Sequence, residues 1–342
     1  MADFLLDTAT RHQHFLERLK TGNANKFEKF LRMADKRVRE LLTDAGTIEN
    51  RRKLATLQRE ITDALQAVYA RWDDELTSDL VEIMSNEANF ELRTIEKLLG
   101  GEVDMIAPDV ASMQREAFSR PFQGKTLRKL LADFADEEAL RVAGVVRQGF
   151  FDGRSVTDIV RDIRGTKGAQ FTDGALRQTD IRARRIARTA VQHFASVARH
   201  EVYAENDDII TEYEWVAVLD SRTSNICMTL DGQVWKVGAG PLPPAHPNCR
   251  STTLPIIEGE GPPVVTDSTG KRRVRGQQTY GKWLRKQPKA FQIEALGPTK
   301  AQLFRKGELA VERFTDRTNA PLTLDELRRL NPVAWAKAGL DE

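Results

Sequence analysis

Two cysteines and a histidine are the residues of this sequence best suited to metal chemistry. Cys227 precedes His246 and Cys249, and only two residues separate the last two. Thiolate sulfur and imidazole nitrogen are donors that zinc prefers, and structural zinc sites normally have four protein ligands. The spacing is compatible with a zinc site of three protein ligands, to which Asp220 or Asp231 can add an oxygen. Zinc is the one cofactor that the residues suggest.

Two other interpretations of the same residues stay open. In the first, which we take as the default, no cofactor is bound, because buried cysteines often act as small apolar side chains. His246 then bonds a carboxylate or a carbonyl. In the second, Cys227 and Cys249 form a disulfide, which a reducing cytosol disfavours.

Asp220, Arg222 and His246 can also be considered as a catalytic group. A buried Asp–His pair makes a general base, and arginine can hold a phosphate. No activated nucleophile, phosphate-binding loop or paired-carboxylate motif accompanies them. We therefore expect no enzyme activity, and we expect these residues to support the loops around them.

A short basic segment near residue 273 is suited to contact phosphates. Dense positive charge is sufficient for salt-dependent, sequence-independent binding to DNA. A set of ion pairs with protein partners explains such a segment equally well. The candidate DNA-phosphate contacts are Lys271, Arg272, Arg273 and Arg275.

A second basic patch lies on a predicted helix over residues 179–202. Arg182, Arg185 and Arg188 are three residues apart, so they lie near one another on the helix surface. For this patch we favour a structural role in ion pairs, with Asp180 as one acidic partner close in sequence.

Helices must position most of these residues. Nine apolar residues repeat every three or four positions, which is the spacing of one helix face. Asp44 or Thr47 is expected to cap the start of this helix, and shorter helices are expected over residues 15–42, 90–99, 127–134 and 137–150. The nine residues are Leu54, Leu57, Ile61, Leu65, Val68, Trp72, Leu76, Leu80 and Ile83.

Strands are expected only in the second half of the chain. Residues 211–219 and 233–237 are rich in β-forming residues and flank a hairpin-type turn at Asp231-Gly232. Residues 249–257 predict an edge strand. After a linker over 259–263, a two-stranded ribbon is expected over 264–275, and helices follow, with Thr323 as a cap.

Composition excludes several classes of protein. The chain has 342 residues, of which 40% are hydrophobic and 30% charged, and the net charge is +2. It is therefore neither disordered nor a polycation. No apolar run is long enough for a membrane span, and the first residues do not resemble a signal peptide.

The segment from Arg184 to Pro255 resembles the Mu F-like family of phage minor head proteins, also called head morphogenesis proteins. The order and spacing of the motifs carry the resemblance, which covers about residues 125–257. The motifs are Ile186-Ala187-Arg188-Thr189, Trp215 before Asp220-Ser221-Arg222-Thr223, Cys227 before Leu230-Asp231-Gly232, and Pro243-Pro244-Ala245-His246-Pro247-Asn248-Cys249-Arg250.

The resemblance implies a role in the phage head that is structural and not catalytic. It implies a virion protein that is made in the host cytoplasm and acts in head assembly, DNA packaging or delivery. Its expected partners are the portal protein, the inner capsid surface and packaged double-stranded DNA, with no membrane. The expected loop-support residues are Asp220, Arg222, Thr223, Asp231, Gly232, Pro244, His246, Pro247 and Arg250.

The chain departs from the family pattern at two positions, because many members have cysteine where this chain has Ser224 and Ser251. A four-ligand zinc set therefore does not carry over. The main alternative function is a phage-delivered hydrolase, nuclease or toxin, and a further one is a DNA-binding accessory protein.

We therefore predict an α+β protein that is mainly α. A helical N-terminal region (1–124) precedes a Mu F-like head morphogenesis domain with helices and a small antiparallel sheet (125–257). The basic ribbon and a mostly helical tail follow (258–342).

Overall fold

Two long helices form the N-terminal half of the protein. The computed structural model describes residues 2–101, 103–257, 264–266, 272–274 and 278–341, with the backbone alone for 264–266 and 272–274. Helix α1 (Ala2–Ala45) and helix α2 (Arg51–Leu98) run antiparallel. Ion pairs between them join Lys26 to Asp79 and Lys29 to Glu75.

The periodic stripe of α2 is confirmed, because all nine of its predicted residues are buried. The predicted cap is wrong: Asn50 caps α2 by accepting a hydrogen bond from the Lys53 amide at 3.0 Å. The helices expected over 15–42 and 90–99 are parts of α1 and α2. No glycine or proline lies within α2, so nothing in its sequence ends it before Leu98.

Helix α4 corrects another expectation about helix ends. It runs without a break over the two shorter helices expected at 127–134 and 137–150, and Gly149 lies inside it. A Cβ atom at Gly149 would lie 2.5 Å from Cγ1 of Ile159. Glycine therefore lets α5 approach α4 closely and does not end the helix. The helices of this region are α3 (Val110–Ser119), α4 (Leu127–Phe151), α5 (Val156–Arg164) and α6 (Ala175–Glu205).

Helix α6 lies at the centre of the protein. All residues from 189 to 200 are buried, so this part of the helix is covered on every side. Its apolar side chains share one core with residues of α1, α2, α3, α4 and α5. The helix expected over 179–202 is confirmed and extended at both ends.

A buried charge cluster lies where α6 crosses α2. The side chain of Arg199 is 4% exposed and contacts Glu87 and, at 3.2 Å, Glu91. Tyr203 donates a hydrogen bond to Glu91 at 2.8 Å, and His12 of α1 lies 2.6 Å from Glu87. One guanidinium thus pairs with two carboxylates away from water, and burial raises the pKa of one of them, Glu91.

The sheet has three antiparallel strands in the order β2-β1-β3. Strands β1 (Ile210–Val216), β2 (Val234–Lys236) and β3 (Thr252–Ile257) correspond to the three predicted segments, with β1 beginning one residue earlier than expected, and β3 is an edge strand as expected. Helix α7 (Asn225–Leu230) lies between β1 and β2. The Asp231-Gly232 turn therefore joins a helix to a strand, and the expectation of a direct hairpin was wrong.

The C-terminal part has its own hydrophobic core, which includes Met228 of α7, Tyr280, Phe304 and Phe314. The predicted ribbon is confirmed in its backbone, and the linker expected at 259–263 lies outside the described residues. Among the described residues, no helix is long and apolar enough to cross a membrane. The elements are β4 (Val264–Thr266), β5 (Arg272–Val274), α8 (Tyr280–Arg285), α9 (Lys289–Leu296), α10 (Pro298–Arg305), a short 3-10 helix (Val311–Phe314), α11 (Leu324–Leu330) and α12 (Pro332–Ala338).

The predicted fold class is confirmed: the protein is α+β and mainly α, with a small antiparallel sheet. Thr323 caps α11, as the sequence predicts, and Glu326 completes a capping box.

Candidate functional site

The candidate site lies where the chain leaves the central strand of the sheet. Ser224 caps α7 by accepting a hydrogen bond from the Cys227 amide at 3.3 Å, and this places Cys227 in the first turn. Residues 243–250, which we call the signature loop, return along the other side of Cys227. The Pro243–Pro244 bond in this loop is cis. Pro244 is buried and Pro247 is exposed.

The structure brings the three predicted metal ligands together. Sγ of Cys227 lies 3.2 Å from Nε2 of His246 and 3.7 Å from Sγ of Cys249. All three donor atoms lie within 4.8 Å of one another, and neither Asp220 nor Asp231 belongs to this group. Both cysteines are buried and free, so they do not form a disulfide in this structure.

His246 presents one particular ring nitrogen to the cysteines. Its Nδ1 lies 2.9 Å from the Pro247 carbonyl oxygen, which can only accept a hydrogen bond. A ring proton on Nδ1 therefore satisfies this carbonyl, and Nε2 is the nitrogen that faces Cys227.

The cysteines differ in their acidity. The hydrogen bond from the Cys227 thiol lowers the pKa of Cys249 well below its ordinary value, and His246 acts in the same direction. The same contact raises the pKa of Cys227, and burial adds to the increase. The pKa of Cys249 is thus shifted toward the thiolate, which is the form of cysteine that binds metals.

Two helices hold the end of the signature loop. Lys20 of α1 is 1% exposed, and its Nζ donates a hydrogen bond to the Cys249 carbonyl at 3.0 Å. On α6, Gln192 bonds the Ser251 carbonyl at 3.1 Å, and Thr189 accepts a hydrogen bond from the Asn248 amide at 3.1 Å. Nothing in the sequence links Lys20 to this loop, because it lies 229 positions before Cys249.

Asp220 pairs with Arg250, the last residue of the signature loop. The Nη1 and Nη2 atoms of Arg250 lie 2.6 and 2.7 Å from the two carboxylate oxygens of Asp220. Hydrogen bonds from Arg250 lower the pKa of Asp220 to about 2, against the effect of partial burial. Thr223 donates a hydrogen bond to the same carboxylate at 3.3 Å. Arg222 has a side chain that is 80% exposed and lies 3.5 Å from Asp220.

The candidate catalytic group is therefore not assembled in this structure. The Asp220 carboxylate contacts arginine side chains, Thr223 and the Arg222 amide, whereas the ring of His246 contacts Cys227 and the Pro247 carbonyl.

Asp231 and Gly232 join three parts of the chain. The Asp231 carboxylate accepts hydrogen bonds from the backbone amides of Ala217 and Tyr280, each at 2.6 Å. The Gly232 amide bonds the Trp215 carbonyl at 2.8 Å, with a positive φ of 73° that favours glycine. The Tyr280 hydroxyl also donates to the Asp220 carbonyl at 2.7 Å. Nothing in the sequence distinguishes Tyr280 from the other apolar residues of the C-terminal tail.

The arginines of α6 are mostly used inside the protein. Arg188 bonds Glu17 and Thr21 of α1, while Arg184 bonds Asp180 at 2.6 Å. Arg182 contacts two glutamates of α4. These pairs agree with the structural interpretation of this patch.

The structure describes the basic ribbon only in part. Arg272 and Arg273 lie in β5, where the backbone alone is described, and Lys271 and Arg275 lie outside the described residues. Their role in binding DNA stays a prediction.

Comparison with known proteins agrees with the motifs around this site. Residues 141–254 match the model of a family described as phage Mu protein F like protein. An NAD(+)–arginine ADP-ribosyltransferase named EFV, from Enterococcus faecalis (strain ATCC 700802 / V583), is 28% identical over 179 residues. The match covers 48% of this chain and 35% of that protein, so the chain spans about a third of its relative's length. No solved structure matches the chain. Residues 141–254, about a third of the chain, are therefore similar to the family of phage Mu protein F like proteins.

Proposed function

We propose that this protein is a minor head protein of a tailed phage, with a structural and not a catalytic role in head assembly, DNA packaging or delivery. The observation that carries the proposal is the match of residues 141–254 to the phage Mu protein F like family. We place the protein in the phage head near the portal vertex, after synthesis in the host cytoplasm.

The contacts of the motif residues support a structural role. The Asp220 carboxylate is paired with Arg250, and the Asp231 carboxylate bonds the backbone of two separate segments. These groups fasten α7, the signature loop and the C-terminal part to one another. A general base or a nucleophile would instead need a hydrogen-bonding position directed at a substrate.

The proposed partners are the portal protein, the inner capsid surface and packaged double-stranded DNA. The basic ribbon is the candidate for DNA contact, because four of its five residues from 271 to 275 are cations in a chain with a net charge of only +2. Such contacts need no base recognition, which suits a protein that meets packaged DNA of any sequence.

Quantitative mass spectrometry of purified particles tests the proposal. We expect a few to a few tens of copies per particle, counted against the major capsid protein, and cross-links to portal or capsid subunits. Particles from a phage that lacks the gene provide the baseline. Absence of the protein from both procapsids and finished particles would refute the head role.

A second candidate function is an enzyme that the phage delivers, such as a hydrolase, nuclease or toxin. The match to an NAD(+)–arginine ADP-ribosyltransferase favours it, although this chain spans only 35% of that protein. Incubation of the full chain with labelled NAD(+) and arginine-containing proteins distinguishes the candidates. Transfer of the label would favour the enzyme, whereas a structural protein leaves the acceptors unlabelled.

A third candidate is a DNA-binding accessory protein that acts outside the capsid. It predicts salt-dependent DNA binding together with absence from particles. The particle measurement therefore separates it from the head protein.

A further inference from the structure

Three soft donor atoms converge beside the signature loop from two separate parts of the chain. Cys227 comes from the first turn of α7, whereas His246 and Cys249 come from the loop itself. We propose that these three residues bind one zinc ion, and that the ion fastens the signature loop to α7. This inference does not depend on the role in the phage head.

The distances between the donors fit a tetrahedral ion. A zinc–sulfur distance of about 2.3 Å puts two thiolates about 3.8 Å apart, and a sulfur and a nitrogen ligand about 3.5 Å apart. The two sulfur atoms here are 3.7 Å apart, and Cys227 Sγ is 3.2 Å from His246 Nε2. The third pair, Cys249 Sγ and His246 Nε2, lies within 4.8 Å, and His246 lies on a loop whose adjustment can bring its ring to the required distance from both sulfurs.

The orientation of the histidine ring also fits metal binding. Nε2 lies 3.2 Å from Cys227 Sγ while Nδ1 bonds the Pro247 carbonyl at 2.9 Å. A metal-binding histidine commonly donates its other ring N–H to a carbonyl in this way, which fixes the tautomer.

The donor set selects the class of metal. Two thiolates and one imidazole suit zinc, whereas magnesium and calcium prefer oxygen ligands. The nearby carboxylates of Asp220 and Asp231 are held by Arg250 and by backbone amides. A hard cation therefore has no oxygen ligand set among the described residues of this site.

The fourth coordination position belongs to a solvent molecule. Both sulfurs are buried, but His246 is partly exposed and gives water access from its side. The side chains of Ser224 and Ser251 lie close enough to the Cys227 thiol to influence its pKa, so they mark places from which a longer-reaching ligand could complete the site.

Two helices hold the backbone of the ligand loop in place. Lys20 of α1 is buried, and its Nζ donates a hydrogen bond to the Cys249 carbonyl at 3.0 Å. Gln192 holds the Ser251 carbonyl at 3.1 Å from the other side. Helices α1 and α6 thus fix the backbone of the ligand loop before an ion binds, which reduces the entropy lost on binding.

Metal analysis of the full chain, purified with zinc and then dialysed, tests the proposal. We expect about one zinc ion per chain. Replacement of zinc by cobalt(II) should give the visible bands of a tetrahedral ion and a thiolate charge-transfer band. Cys249→Ser should abolish both signals, whereas the matched variant His14→Ala, at an exposed histidine, should keep them. A chain that binds no zinc, or a Cys249→Ser variant that binds it as well as the native chain, overturns the proposal.

A gain-of-ligand variant keeps the test valid if Cys249→Ser does not fold. Ser251→Cys adds a sulfur beside Cys227, so we expect the zinc Kd to fall at least about tenfold, measured by competition with a chromophoric chelator. Thr253→Cys, two residues after Ser251, is the control and should leave the Kd of zinc unchanged. Equal affinity in the native chain and Ser251→Cys would contradict the proposed geometry.

Discussion

Arg250 binds both carboxylate oxygens of Asp220, and the Tyr280 hydroxyl binds the backbone carbonyl of the same aspartate. One residue thus links the signature loop to the C-terminal part of the chain. The sequence predicted loop support for both Asp220 and Arg250 but not their pairing, because the two residues lie 30 positions apart.

The Asp220–Arg250 pair should contribute measurably to stability. We expect Arg250→Ala to lower the free energy of unfolding by about 1–2 kcal/mol, because a two-point charged hydrogen bond is lost at a partly buried position. Arg222→Ala is the matched control. Its side chain is 80% exposed, so the change should stay within about 0.5 kcal/mol. Urea unfolding measures both, and equal losses in the two variants would contradict the structure.

Arg199 should be among the most sensitive positions of the core. Arg199→Met leaves Glu87 and Glu91 buried without a counter-charge, and we expect a loss of about 3–5 kcal/mol. Adding Glu87→Gln and Glu91→Gln should recover part of the loss. Arg11→Met, in an exposed pair, should have almost no effect. Thermal unfolding followed by circular dichroism compares them, and a small effect of Arg199→Met would refute the buried cluster.

Two glycines of α4 should respond in opposite directions to alanine. At Gly149 a Cβ would meet Ile159 at 2.5 Å, so we expect a loss of about 1–3 kcal/mol. At Gly144 nothing lies within 4 Å, and alanine should stabilise the helix by about 0.5–1 kcal/mol. Chemical denaturation of the two variants gives the sign of each change. Stabilisation by Gly149→Ala would mean that α5 does not pack against α4 as described.

Acid should destabilise the protein through buried histidines. Burial lowers the pKa of His193 to about 4, and burial also lowers the pKa of His200. The unfolded chain therefore binds more protons than the folded one between about pH 6.5 and about pH 4, and stability falls as pH falls through this window.

The variant His193→Gln isolates one part of this dependence. Glutamine keeps a donor for the Ala117 carbonyl, which His193 Nε2 contacts at 2.9 Å, but it does not titrate. Urea unfolding at several values between about pH 7.5 and about pH 4.5 should show a smaller slope than in the native chain. The exposed variant His14→Gln should keep the native slope. An unchanged slope in His193→Gln would contradict the buried neutral ring.

Lys20 is far from the signature loop in sequence but contacts it directly, so it should help to keep the loop ordered. In Lys20→Met the Cys249 carbonyl loses its hydrogen bond, and we expect faster hydrogen exchange of the amides at Asn248 and Cys249. Lys26→Met removes an exposed ion pair of the same helix and serves as the control. Hydrogen exchange with mass spectrometry compares the loop in both variants. Equal protection in Lys20→Met and the native chain would show that the loop is held by other contacts.

Local patterns predicted the elements better than their ends. The stripe from Leu54 to Ile83 is buried as expected, because residues three or four apart always share a helix face. Helix ends depend on which polar side chain reaches the free backbone amides. Asn50, Thr47 and Asp44 all have suitable side chains, so the sequence does not distinguish them.

Contacts between distant residues account for what the sequence did not predict. The sequence did predict the group of Cys227, His246 and Cys249, because these residue types are rare in the chain and their spacing is short. Lys20 and Tyr280 carry no such mark, since each is an ordinary member of its own helix. Their roles depend on α1 packing against α6 and on the C-terminal part docking on α7.

Because α6 is buried on every side, the segment that matches the family needs helices from outside that segment in order to fold. The segment that matches the family begins inside α4 and ends inside β3, yet its central helix is covered largely by α1 and α2. A gene fragment cut at residue 141 would encode the matched segment without the two helices that cover most of α6, and would expose buried side chains of both kinds, such as Val191 and Arg199. A graft of this segment therefore needs the first hundred residues, or two other helices, to cover α6.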